Sequence, residues 1–383
     1  MSTRATNHLH DSVRGIYQSA IGRPRGDLMT PALILDLDKA RRNIAFMGER
    51  MGAFKARLRP HTKVEKSPEL ARLQVDAGAI GVCTATVWEA IVMSRSGIED
   101  VLIANQVGGR EKIRALAAAA RDGNLSVAVD DARNAQDLSA AAAGAGSEIG
   151  VLIEVDIGMG RGGVRSPEEA VVLARCLQKL PSLRLRGVQG YEGHCMLEPD
   201  PDLRKQKVGQ ALARLAAAVD QLAQAGFSCE VVSAGGTGTY DITGNHPLVT
   251  EIQAGSYVFM DNFHGNLVPG FVRALTVLGT VIIQHGKTIV FDSGRKSIGV
   301  DYVLPTLIDH PDYQARYFAE EHAVFDVDER CRLTLGDRAE LTPGYAPTTV
   351  NLYDAYHVVE NGVVVDIWPI VPRGPGHAGV LAG

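Results

Sequence analysis

The segment "RLRPHTKVEKS" (residues 57–67) joins the end of an apolar extended run to the start of a helix, with one lysine in the gap. Arg57 and Leu58 close the run. Pro60 steers Arg59 away from helix, and Ser67-Pro68-Glu69 supplies an N-cap followed by Pro at the first helical position. Lys63 stands between. It is either a solvated loop lysine or a residue held at a strand end for chemistry, and the surrounding chain separates the two.

Outward from this segment, β-like runs alternate with helix-like ones as far as residue 257. The β-like runs are "ARLRPH" (56–61), "IGVCTA" (80–85), "DVLIAN" (100–105), "LSVAVD" (125–130), "IGVLIEVD" (149–156), "LRLRGVQGY" (183–191), "CEVVSAG" (229–235) and "EIQAGSY" (251–257). Between the sixth and seventh of them lies "KVGQALARLAAAVDQLAQAG" (207–226) as the clearest helix. Its Val208, Leu212, Leu215, Val219 and Leu222 recur on one face, and Gly226 stops it. Alternation of this kind implies parallel strands joined by crossovers, and eight units over roughly 200 residues give a (β/α)8 barrel. An open doubly wound sheet is the competing reading, but no GxGxxG follows the first strand. A helix around Lys39–Met51 precedes the barrel proper.

Beyond about residue 270 the texture becomes β-rich, with the turn signals "HGK" and "ENG". The expected organisation is a barrel over 30–270 and an all-β domain over 271–383. The N-terminal segment 1–38, with the strand "PALILDLD" (31–38), is assigned to the second.

The composition is that of a soluble enzyme, 45% hydrophobic and 22% charged. A net charge of −5 gives no basic footprint for nucleic acid or an anionic membrane. No run of apolar residues is long enough to span a bilayer, and the N-terminus lacks the apolar core of a signal peptide. The five cysteines are scattered, with no CxxC pair, which fits reduced thiols in a cytoplasm.

In a barrel the active site lies past the C-terminal ends of the strands. The residues there are Lys63, Thr84, Asn105, Asp130, Arg161, Tyr191 with His194, Ser233–Gly238 and Gly255-Ser256-Tyr257. Lys63 is therefore a mouth residue. "SAGGTGT" (233–239) and "AGSY" (254–257) follow the seventh and eighth strands, where many barrels bind a phosphate. Small residues there let N–H groups and hydroxyls converge on an anion. Either loop alone could be only a tight turn. A phosphate site beside a lysine points to pyridoxal phosphate, whose aldehyde bonds the amine and whose ring draws electrons from the bond that breaks. "EVDIGMGRGGV" (154–164) adds Arg161 on a glycine-rich turn, placed to hold the ring hydroxyl oxygen or a carboxylate.

Several long motifs now carry a resemblance. They are "TPALILDLDKARRNI" (30–44), "RPHTKVEKSPELARLQ" (59–74), "EVDIGMGRGGV", "GVQGYEGH" (187–194), "SAGGTGTY" (233–240), "QAGSYVFMD" (253–261) and "VNLYDAYHVVENGVVVDIWPIVPRG" (350–374). Together they resemble the D-threonine aldolase/D-serine dehydratase-like family, pyridoxal-phosphate enzymes of the alanine-racemase fold type. The resemblance implies that Lys63 is the Schiff-base lysine, that Arg161 lies near the phenolic oxygen, and that Tyr191 approaches the ring nitrogen. Gly236, Thr237, Gly238, Ser256 and Tyr257 would hold the phosphate, and His61 would border the ring. It also implies a homodimer, with each active site completed near the β-domain.

Two departures from the family stand out. Its aldolases and dehydratases carry a divalent-metal site formed by His and, two residues on, Cys or Asp, just before "VNL". This chain reads "TPGYAPTTVNL" (342–352), with Tyr345 and Pro347 at those positions. Proline has no ligand atom and a neutral tyrosine is a poor ligand, so no divalent metal is expected. His322, in the retained "EEH", has structural duties; His194 or Asp354 would be the substitutes in any alternative metal site. The second departure is "KVEK", where Glu65 replaces a histidine.

The expected activity is a lyase, aldolase-like, acting at Cα of a D-3-hydroxy-amino acid, with His194 or Tyr345 as base. The alternative is a metal-independent racemase or transaminase using Lys63 and Tyr345. A third class is a protein that only carries the cofactor; Arg161, Tyr191 and a base argue against it. Arg295 and Lys296 in "DSGRKS" (292–297) suggest a substrate-carboxylate clamp.

Overall fold

The computed structural model describes residues 3–375. The described chain forms two compact units. One is built from Met47–Lys63 with Leu70–Gly255, the other from the chain up to Phe46, Val64–Glu69 and Ser256–Pro375. The segment that opens the sequence argument thus crosses from one unit to the other immediately after Lys63. The last eight residues assigned above to the β-domain lie outside the described residues.

The first unit is the barrel. Its strands are Arg57–Leu58, Val82–Thr84, Asp100–Gln106, Asn124–Val129, Ile149–Glu154, Leu183–Gln189, Val231–Ala234 and Glu251–Ile252. All neighbouring strands pair in parallel, and Arg57–Leu58 pairs with Glu251–Ile252, the first strand against the last. Closure between the first two strands is made by a parallel bridge, His61 to Cys83. There the Cys83 N–H donates to the Pro60 carbonyl at 2.7 Å, and the Thr62 N–H donates to the Cys83 carbonyl at 2.8 Å. Cys83, Leu102, Ala104, Leu152 and Val231 form one buried cluster. Strands buried on both faces are continuously apolar, as parallel strands under helices must be.

The crossover helices start where short polar side chains cap them. Thr86, Asp131, Ser166 and Asp200 each accept backbone N–H groups of the first turn, and Pro167 and Pro201 follow two of them. The long helix Pro201–Gln224 buries Val208, Leu212, Leu215 and Leu222, and ends before Gly226 at φ +89°. Val219 is only partly buried.

The second unit holds a nine-stranded sheet. Its main path runs Gln314–Phe318, Ala323–Asp326, Thr288–Phe291, Leu275–His285, Ala32–Asp36, Ala355–Glu360, Val363–Pro369, with Arg338–Thr342 and Thr306–Leu307 off it. Pairing is antiparallel except between Ala32–Asp36 and Ala355–Glu360. The "ENG" turn has Asn361 at φ +50° and Gly362 at φ +79°, the geometry that joins two tightly paired strands. Among the described residues no helix is long and apolar enough to cross a membrane.

Candidate active site

The backbone fixes Lys63. The His61–Cys83 bridge and the Thr62 hydroxyl, which donates to the Cys83 carbonyl at 2.9 Å, pin the two residues before it to the second strand. Its Nζ lies 5.8 Å from the centre of the Tyr191 ring, and the Arg161 guanidinium carbon lies 5.6 Å from the same ring. Burial first, and Arg161 second, lower the Lys63 pKa, against a smaller opposing pull from Glu89. A lysine so placed is a stronger nucleophile near neutral pH than a surface one. His61 is buried and held well below its usual range, chiefly by burial and then by Lys63, so it stays neutral. Its Nδ1 has no hydrogen-bond partner among the described residues.

Arg161 rides on a loop that its own glycines make possible. Asp156 Oδ1 accepts the N–H groups of Gly158 at 3.0 Å and Gly160 at 2.9 Å, and Val164 folds back onto Glu154 and Asp156. Gly163 adopts φ +100°, and a Cβ there would come within 2.6 Å of the Asp156 nitrogen. The guanidinium reaches Glu154 at 3.5 Å. Gln106 donates to Glu154 at 2.5 Å and to Asp130 at 2.9 Å, while Asp130 accepts the Gly163 N–H at 2.7 Å. Burial raises the Glu154 pKa and Arg161 opposes it. Sequence reading does not single out Gln106 or Glu154. The available signal was a carboxylate ending the apolar run "IGVLIE".

His194 sits on the short turn Gly193–Leu197 and packs over Gly158, where a Cβ would lie 3.0 Å from its Cε1 and Nε2. Its Nε2 is 3.5 Å from Cys195 Sγ, and its Nδ1 is buried with no partner among the described residues. The Tyr191 hydroxyl donates to Met196 Sδ at 3.4 Å. Met196 in turn lies over Gly238, where a Cβ would meet it at 3.1 Å.

After the strand Val231–Ala234 the chain turns at Gly235, φ +80°. The Gly235 N–H donates to Glu192 at 3.2 Å and the Gly236 N–H to Thr239 Oγ1 at 3.2 Å. These two amides therefore face inward, and Gly236 provides close approach to Tyr191, whose Cε2 would be 3.5 Å from a Cβ there. The Gly238 N–H has no hydrogen-bond partner among the described residues, and Thr237 beside it is buried.

Ser256, Tyr257 and Tyr345 belong to the second unit. Ser256 and Tyr257 form a buried turn, Ser256–Val258. Burial, and then the charge of Glu65, keep the Tyr257 hydroxyl protonated. Glu65 is itself buried, and its carbonyl accepts the Tyr356 hydroxyl at 2.5 Å. Tyr345 caps the helix Ala346–Val350, which Pro347 helps to start. Its ring stacks on His264 at 5.9 Å and meets Tyr302 edge-on at 5.1 Å. His264 Nδ1 is 2.8 Å from Asp261, which also accepts the Ala346 N–H at 2.7 Å. His322 is exposed, Asp354 pairs with Arg373, and Lys296 pairs with Glu321 at the surface. Among the described residues no group of three His, Cys, Asp or Glu is arranged to hold a metal ion.

The barrel unit thus gathers His61, Lys63, Arg161, Tyr191, His194 and the 236–238 loop. A pK-depressed amine, a guanidinium and, among the described residues, two orphaned imidazole nitrogens and an unpartnered loop N–H suit an anionic aromatic aldehyde such as pyridoxal phosphate. Fold and site together define an enzyme of the alanine-racemase type. The family descriptions agree: "Alanine racemase, N-terminal domain" matches residues 35–263 and "Putative serine dehydratase domain" residues 274–359. The chain is 37% identical over 369 residues to a 3-hydroxy-D-aspartate aldolase of Paracoccus denitrificans (strain Pd 1222), covering 93% of this chain and 95% of the relative. It is 36% identical over 360 residues to a D-threonine aldolase of Arthrobacter sp., covering 92% and 95%. The crystal structure of D-threonine aldolase from Filomicrobium marinum superimposes with a TM-score of 0.90 at 36% identity, over 92% of this chain and 98% of that one. The chain belongs to the D-threonine aldolase/D-serine dehydratase-like family and is an enzyme.

Proposed function

We propose that the protein is a pyridoxal-phosphate lyase that splits the Cα–Cβ bond of a D-3-hydroxy-amino acid without a divalent ion. The observation that carries this reading is the buried Lys63 amine, its pKa lowered chiefly by burial, facing the Tyr191 ring that Arg161 also faces at the barrel mouth. Bound there, the cofactor supplies an aldehyde for covalent capture and a sink for the electrons of the broken bond.

The chain's own groups do the rest. Lys63 would hold the cofactor through its amine and return a proton to Cα. Arg161, oriented by Glu154, would hold the phenolic oxygen, and Tyr191 as a neutral phenol would face the ring nitrogen without protonating it. His61 borders the ring as a neutral imidazole. Thr237 and Gly238, with Gly236 for close approach, would hold the phosphate, and the family likeness gives Ser256 and Tyr257 the same duty. His194 would take the substrate's β-hydroxyl proton as the C–O bond becomes a carbonyl, the work that metal activation does elsewhere. Metal independence rests on donor chemistry: Pro347 offers no ligand atom and the Tyr345 ring packs on His264.

The enzyme is further read as a cytoplasmic homodimer, for which the five free thiols and the family likeness are the support. Incubation with paired D- and L-3-hydroxy-amino acids, assaying aldehyde, ammonia, keto acid and optical rotation together, tests the activity. Aldehyde and glycine from the D-series support aldol cleavage. Racemised substrate without aldehyde replaces it by the Lys63/Tyr345 racemase reading, and keto acid with a transferred amino group by the transaminase.

A further inference from the structure

Glu192 lies between Tyr191 and Gly193, past the end of the strand Leu183–Gln189, and is fully buried. Its carboxylate meets three donors. Oε2 accepts the Gly235 N–H at 3.2 Å, and Oε1 accepts the hydroxyls of Thr239 at 2.9 Å and Thr243 at 2.5 Å. An ionised carboxylate is acceptor-only, so three converging donors match that form. The polarity then passes onward. Thr239 gives its hydroxyl hydrogen to Glu192, which turns an oxygen lone pair toward the Gly236 N–H at 3.2 Å. The Thr239 N–H closes back onto the Gly236 carbonyl at 3.1 Å. Both inward-facing glycine amides are therefore fixed, one by Glu192 and one through Thr239. Thr237 and Gly238 are left as the crest of the loop.

We propose that Glu192 is a positioning residue that, acting through Thr239, holds the 235–239 loop in the shape that receives the cofactor's phosphate. The proposal rests on the reading of that loop as the phosphate site. A buried anion behind a phosphate site would ordinarily weaken it. Here its charge is taken up by the loop's own donors, which orders the backbone.

The test titrates cofactor-free protein with pyridoxal phosphate and with pyridoxal, which keeps the ring and aldehyde but lacks the phosphate. Thermal melts are run alongside. Wild type is expected to bind the phosphorylated form more tightly. Glu192→Gln should raise the Kd for pyridoxal phosphate on the order of tenfold or more, as loss of a charge-assisted network does. The Kd for pyridoxal should not change. Thr239→Val, of similar shape, should reproduce the same selective loss and decides the question if Glu192→Gln does not fold. Variants that keep the wild-type preference, or weaken both ligands alike, overturn the positioning role. A wild type that binds both ligands equally overturns the phosphate-loop reading itself, and this proposal with it.

Discussion

The Lys63 Nζ lies 5.8 Å from the centre of the Tyr191 ring, joining the loop after the first strand to the loop after the sixth. One is fixed by main-chain pairing to Cys83, the other by the buried Glu192 that follows Tyr191. An amine anchored on one fixed loop and faced by a ring on another is pre-organised for covalent capture of an aldehyde. Purified protein should be yellow, and borohydride should fix the cofactor to the peptide containing Lys63. Lys63→Ala should remove both label and activity. A label on another lysine would end the assignment.

The depressed Lys63 also predicts how stability varies with pH. In cofactor-free protein the folded lysine binds fewer protons than the unfolded one between its lowered pKa and the ordinary 10.5. Stability therefore rises with pH across that window. His61 acts in the same sense lower down, between its lowered value and 6.5. Lys63→Met removes the first contribution. Denaturant melts at a series of pH values should show the variant more stable than wild type at neutral pH, the gap closing as pH rises. Parallel curves for the two proteins would show that Lys63 is not desolvated.

Gly236 distinguishes space from charge. A Cβ there finds ordinary contact distances of 3.5 Å to Met196 and Tyr191. Gly236→Ala should fold and retain cofactor with at most a few-fold loss. Gly236→Asp sets a carboxylate where the phosphate is read to bind, and should abolish retention without lowering the melting temperature of the cofactor-free form. Equal cofactor affinity in both variants would make the loop a turn and nothing more.

Metal independence is the prediction with the largest consequence. Activity should survive exhaustive chelation and gain little from added Mn2+, Mg2+ or Zn2+. Tyr345→Phe then separates two roles for the phenol. As a second acid/base its loss costs on the order of 10²–10⁴ in rate with cofactor binding intact. As packing against His264 and Tyr302 the change is nearly silent. Inactivation by a chelator, reversed by one metal, would restore the ordinary metal-assisted mechanism.

The sequence alone determined the strand count, the parallel barrel, the β-rich second sheet and Lys63 as the mouth residue. These follow from local signals: short continuous apolar runs, helix faces with period near 3.6, and caps and glycines at their ends. The "DIGMGRGG" glycines were legible for the same reason, since Gly158, Gly160 and Gly163 all adopt left-handed backbone. Only the tertiary structure decided what surrounds the lysine. Glu192 reaches Thr239 and Thr243 across 47 and 51 residues of chain, and Gln106 reaches Glu154 across 48. A glutamate in "GYEGH" reads as one more polar loop residue, because nothing in its neighbours announces that it will be fully buried. The direction of the loop amides was hidden likewise. Two glycines in a row show that the backbone can turn, but the partners that turn Gly235 and Gly236 inward come from Glu192 and Thr239 once the chain has folded.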